Sequence, residues 1–130
     1  MARRWVLSAF AAGALATGSA CEHQNVIALA PGSTPDSLVF VISGAAVGAP
    51  PKLLYGLSVT HCGDEVPMWT IAADGTRLMP DTVRYGELVP GFVPRAGPEP
   101  LGPACYRAIA SGAPPLRFAI DTAGRITTQH

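Results

Sequence analysis

The sequence predicts an all-β protein, an antiparallel sandwich of six to eight short strands following an N-terminal signal segment. Apolar residues recur at every second position in several short stretches, as at Leu53, Tyr55, Leu57 and Val59. That spacing places side chains on one face of a pleated strand. Turn-forming residues separate the stretches, the chain holding 14 glycines and 13 prolines, and no segment beyond the N-terminal one keeps a helical period. Runs of strands without intervening helices bury their apolar faces by stacking as two sheets.

The chain opens with an address. Arg3 and Arg4 precede an apolar run over residues 5–16, and Thr17, Gly18, Ser19 and Ala20 supply small residues before Cys21. Basic start, apolar middle and small-residue exit make residues 1–20 a secretory signal peptide. The run is too short to cross a hydrocarbon layer about 30 Å thick as a helix, and no other stretch is apolar for long enough. Gly18, Ser19, Ala20 and Cys21 resemble the lipobox of bacterial lipoproteins, in which small residues precede a cysteine that receives a lipid; Gly18 stands where that family usually has leucine. The resemblance implies lipidation of Cys21, a membrane partner through that lipid, and a place at the cell envelope. The same four residues fit an ordinary small-x-small cleavage site, which would yield a soluble periplasmic or secreted protein.

Three cysteines in an exported chain leave one unpaired. Lipidation of Cys21 accounts for the odd sulfur and leaves Cys62 and Cys105 as a disulfide pair in an oxidising compartment. Otherwise Cys21 is a free or intermolecular thiol. Once Arg3 and Arg4 leave with the signal, seven basic residues remain against nine acidic ones. The basic residues stand singly, with no run to follow a phosphate backbone, so nucleic acid is not an expected partner. A chain 48% hydrophobic and 14% charged is too apolar for a disordered protein. The roughly 110 residues after the signal are enough for one small domain.

Residues 21–36 contain Pro31, Gly32, Ser33 and Pro35 and read as a tether, with an edge strand over residues 26–29 as the other reading. The sandwich is then expected over residues 37–130. Residues 37–43 form a strand buried on both faces or nearly so, and residues 44–52 a loop. Residues 53–75 form the central pair of strands, interrupted at Gly63, Asp64 and Glu65 and ended by Asp74 and Gly75, a strong hairpin signal. A short returning strand is expected over residues 76–79 and a partly exposed one over 82–88. Residues 90–103, with five prolines and three glycines, must run over the surface or along an edge. Residues 105–111 and 116–122 form the last hairpin, with Leu116, Phe118 and Ile120 on one face and Arg117 and Asp121 on the other. A turn at residues 122–124 leads to a short strand over 125–128.

Leu101, Gly102, Pro103, Ala104, Cys105 and Tyr106 resemble the Leu-x-Pro-x-x-Tyr entry to the penultimate strand of fibronectin type III and other immunoglobulin-like sandwiches. The resemblance implies an immunoglobulin-like fold with Tyr106 as the tyrosine corner, its hydroxyl bonded back to the corner before it. Cys105 is adjacent to Tyr106 and therefore faces the other way, and Trp69 follows Cys62 by only seven residues. A Cys62–Cys105 bond is thus expected to staple a sheet edge or a loop instead of crossing the core.

His61, Cys62, Asp64 and Glu65 form the one crowding of ligand and acid-base types. Imidazole, thiolate and carboxylate are ligands for zinc or copper, yet no second ligand pair sits at a recognisable spacing. Neighbouring strand residues point to opposite faces, which separates His61 from a Cys62 nucleophile. No catalytic residue, metal or cofactor is assigned on this basis. Trp69 is expected as a core anchor near the disulfide. Its other reading, together with Tyr85, is an exposed aromatic surface for a carbohydrate or protein partner. With no phosphate loop, HExxH or GxSxG present, the sequence points to a non-enzymatic binding or structural module. The alternative is a small secreted hydrolase or metal or redox protein built on the His61–Glu65 turn.

Overall fold

Phe40 and Ile42 alternate into the core along the strand Val39–Gly44 (β2), with Val39 and Val41 half-buried on its other face. The computed structural model describes residues 25–45, 54–77 and 81–129. Within them β2 lies between Asn25–Leu29 (β1) and Thr82–Arg84 (β5) in a three-stranded antiparallel sheet. The second sheet has six antiparallel strands, Leu54–His61 (β3), Pro67–Arg77 (β4), Phe92–Ala96 (β6), Ala104–Ala110 (β7), Leu116–Ile120 (β8) and Ile126–Gln129 (β9), ordered β6-β4-β3-β7-β8-β9. The order β1-β2-β5 against β4-β3-β7-β8 is that of strands A-B-E against C′-C-F-G in an immunoglobulin-like sandwich. β6 and β9 extend the larger sheet at its two edges.

The two sheets meet over a chain of aromatic rings. Tyr85 lies 5.0 Å from Trp69, Trp69 stacks on Phe40 at 6.4 Å, and Phe40 meets Phe118 edge-on at 6.3 Å. Phe118 then stacks on Tyr106 at 5.4 Å, and Tyr106 on His61 at 5.0 Å. Phe40, Trp69, Tyr106 and Phe118 are at most 1% exposed. Such ring pairs contribute about 0.5–1.5 kcal/mol each beyond the area they bury. Ile27, Leu57, Val59, Ile71, Val83 and Ile120 complete the interior.

Several expectations are corrected. The tether ends before Asn25: β1 pairs with β2 over its whole length, and Asn25 and Ile27 are buried, so the sandwich starts well ahead of residue 37. The turn-forming residues 31–35 that suggested a linker make the connection between two paired strands. With β1 and β6 counted, the described residues hold nine strands, more than the six to eight expected. Asp74 and Gly75 do not close a hairpin. β4 runs through them to Arg77, and the register with β3 slips between Leu54↔Arg77 and Gly56↔Ala72. Gly75 has φ +92°, and a positive φ serves a bulge as well as a turn. The strand expected over 82–88 stops at Arg84, where the chain turns with Glu87 N–H bonded to the Arg84 carbonyl.

β6 forms inside the proline-rich segment because it pairs on one side only, with β4, where Pro94 is tolerated. Leu38, Phe40 and Ile42 are buried, Val39 and Val41 between them are half-buried, and Ser37 and Ser43 are exposed, so residues 37–43 come near to burial on both faces only at their centre. Leu57 and Val59 point into the core as their spacing predicts, whereas Tyr55 lies beyond its end and is 62% exposed. The final hairpin, its Asp121–Gly124 turn and β9 agree with the sequence reading. The signal segment 1–20, Cys21 and most of the loop over 44–52 lie outside the described residues.

Candidate functional site

The β3–β4 connection is shaped by its own backbone. Gly63 has φ +78°, Asp64 N–H donates to the His61 carbonyl, and the Asp64 carboxylate accepts the Val66 N–H at 3.0 Å. Asp64 and Glu65 are exposed, while half-buried His61 turns inward to stack on Tyr106, its register partner across β3 and β7. One carboxylate thus holds the turn, and the imidazole closes the end of the ring chain. The turn does not bring His61, Asp64 and Glu65 together around a common point. Among the described residues no group of three or more His, Cys, Asp and Glu is placed to hold a metal ion, and no helix is long and apolar enough to cross a membrane.

Cys62 and Cys105 are bonded, with Cα atoms 5.3 Å apart. Cys62 N–H donates to the Cys105 carbonyl, so the bridge links neighbouring strands of one sheet at its end, as expected from the adjacency of Cys105 and Tyr106. Tyr106 points the other way, into the core. Its hydroxyl donates to the Gly102 carbonyl at 2.6 Å, the tyrosine-corner bond. Burial raises its pKa above the ordinary value of 10.0.

Trp69 is 1% exposed, the core anchor expected of it, so its other reading as part of an exposed aromatic surface is set aside. Its ring partners are Phe40 and Tyr85. Tyr85 is half-buried, with one part of its ring against Trp69 and its hydroxyl donating to the Glu99 carbonyl at 2.7 Å. Burial pushes that hydroxyl up to about 12. Tyr85 stands between two concavities. One, of about 490 Å³, is lined also by Val39, Thr82, Arg84 and Glu87. The other, of about 290 Å³, is lined by Pro35, Asp36, Pro98, Glu99 and Leu101. The result is an aromatic edge flanked by prolines and carboxylates, suited to ring and hydrogen-bond contacts.

Sequence reasoning found Tyr85 but not Asp36, Pro98 or Glu99 beside it. Asp36 comes from the connection between β1 and β2, and Pro98 and Glu99 from the crossing of residues 97–101 over the sheet edge, fixed by the bond from Glu99 N–H to the Met68 carbonyl. A Cβ at Gly97 would collide with that carbonyl. No local pattern signals such a crossing. Register also places Arg107 and Arg117 directly opposite each other on β7 and β8, although both looked isolated along the chain. Set against protein families, curated proteins and solved structures, the chain finds no match in any of the three.

Proposed function

We propose that this chain is exported, anchored to a membrane by a lipid on Cys21, and serves at the cell envelope as a non-catalytic binding or structural module. The observation that carries the reading is the pairing of Cys62 with Cys105, which leaves Cys21 as the remaining one of the three cysteines. Disulfides persist in oxidising compartments outside the cytoplasm, and the signal-like segment before Cys21 supplies the route there. The stacked His61 and the turn-bound Asp64 favour a binding role over a hydrolase or metal or redox protein on that turn. The contact surface for a protein or carbohydrate partner is the exposed part of Tyr85 with its two flanking concavities.

Metabolic labelling with a tagged fatty acid in an expressing bacterium tests the anchor. The label should enter the chain and be lost in the Cys21→Ala variant. A chain that takes up no label, or keeps it without Cys21, contradicts the reading. Hydrolysis of esters, peptides or glycosides by the purified protein, abolished by one substitution in the His61–Glu65 turn, would overturn the non-catalytic part.

A further inference from the structure

Asn25 pins the chain close to the proposed anchor. It is 1% exposed, its N–H donates to the Gly112 carbonyl at 2.8 Å, its side-chain amide donates to the Ser111 carbonyl at 3.2 Å, and its Cα is in register with Gly44. Four residue steps separate Cys21 from Asn25, and a fully extended chain spans about 14 Å in that number. A head-group layer is itself about 5–8 Å deep on each side of a bilayer. The strands run away from this end: β3 begins here at Leu54 and ends at His61, about 25 Å further on at the usual rise per residue.

From these distances we propose that the end of the sandwich made by Asn25, Tyr55 and the 111–116 loop rests against the lipid head groups, with Tyr55 and Pro114 in contact with them. The inference rests on the lipidation of Cys21 proposed above and adds which surface of the domain meets the membrane. Tyr55 is 62% exposed and its N–H donates to the Ser111 hydroxyl at 3.0 Å, which ties it to the loop holding Asn25. Pro114 and Pro115 are exposed beside it. Tyrosine is favoured at membrane-water interfaces, where its ring meets apolar matter and its hydroxyl meets water.

Charge is distributed to match. Among the described residues, positions 25–26, 44–45, 55–56 and 111–116 hold no charged residue, and the charged positions next to them are Asp74 and Arg77 on β4, Asp81 before β5 and Arg117 on β8, two of each sign. Connections at the opposite end of the strands carry Asp36, Asp64, Glu65, Glu99 and Asp121 against Arg125. An anionic lipid surface repels that net acidic end and meets balanced charge around the other. Tyr85, whose N–H bonds to the Leu38 carbonyl at the start of β2, then faces away from the membrane, where a partner can reach it.

Beyond residue 20 the chain has Trp69 as its only tryptophan, and that ring is buried, so Tyr55→Trp adds a surface reporter. The lipoprotein purified from its host is placed in phosphatidylcholine vesicles whose acyl chains carry bromine near the head group. The emission added by Tyr55→Trp should be lost in brominated vesicles and kept in ordinary ones, while that added by Glu65→Trp should be kept in both. Unchanged emission from position 55, or quenching at position 65 instead, overturns the proposal. Pro114→Trp reads the same surface if Tyr55→Trp does not fold. Where the mass of the N-terminal peptide shows Cys21 unmodified, coupling a maleimide-bearing phospholipid to that thiol supplies the anchor. The same quenching then tests the orientation separately from natural lipidation.

Discussion

β7 is paired with β3 on one side and β8 on the other, tied to the end of β3 by the Cys62–Cys105 bridge, and fixed to its own corner by the Tyr106 hydroxyl. β1 pairs with β2 alone, and buries only Asn25 and Ile27. A strand held from one side by two buried residues opens locally at a cost well below that of unfolding the whole domain. The difference shows that the interior of the larger sheet sets global stability, while the edge nearest the proposed anchor is held by a polar clasp.

The largest expected effect attacks the interior. Trp69→Ala removes the ring between Phe40 and Tyr85 and should cost about 3–5 kcal/mol, read from denaturant unfolding; a loss below about 1 kcal/mol would mean that the ring chain does not organise the core. Replacing Cys62 and Cys105 together by alanine frees a 43-residue separation and should cost about 4 kcal/mol in the chain-entropy description. Tyr106→Phe deletes only the bond to the Gly102 carbonyl and should cost about 1 kcal/mol.

Asn25→Ala sharpens the contrast between the two strands. Amide exchange should quicken at Ile27 and leave the Tyr106 and Ala108 amides unchanged, with about 1 kcal/mol lost at the β1 edge. Equal acceleration everywhere would show that β1 does not open by itself.

A last effect is one of pH. Tyr85 holds its proton to about pH 12 in the folded chain against 10.0 when unfolded. Between those values the unfolded state has already released its proton, so stability present below pH 10 falls as the pH rises toward 12. Tyr85→Phe should flatten that slope, and phenolate absorbance should show the Tyr85 transition above 10.

Much of the sandwich was legible in the sequence because one physical rule, alternation of burial along a strand, acts locally. Leu57 and Val59, and Phe118 and Ile120, declare their faces by spacing alone, whereas Phe40 and Ile42 do not, since Val39 and Val41 between them are apolar as well. The tyrosine corner was legible because its bond spans only four residues, Gly102 to Tyr106. What escaped was non-local. The proline and glycine beside β1 fit a tether as well as a turn, and the pairing of β1 with β2 decides for the edge strand over residues 26–29, the second reading of that stretch. Asp74 and Gly75 carry a backbone preference that a bulge and a hairpin share, and the neighbouring strands decide between the two. The groups around Tyr85 come from residues 35–36, in the connection between β1 and β2, and from residues 98–101, placed by the crossing at Gly97.

The intact mass of the mature protein from an expressing bacterium, before and after reduction, bears most directly on the whole account. A chain that begins at Cys21, carries lipid mass there and takes up thiol reagent at Cys62 and Cys105 only after reduction is the predicted result. An unmodified Cys21, or a Cys62 that reacts without reduction, would contradict it.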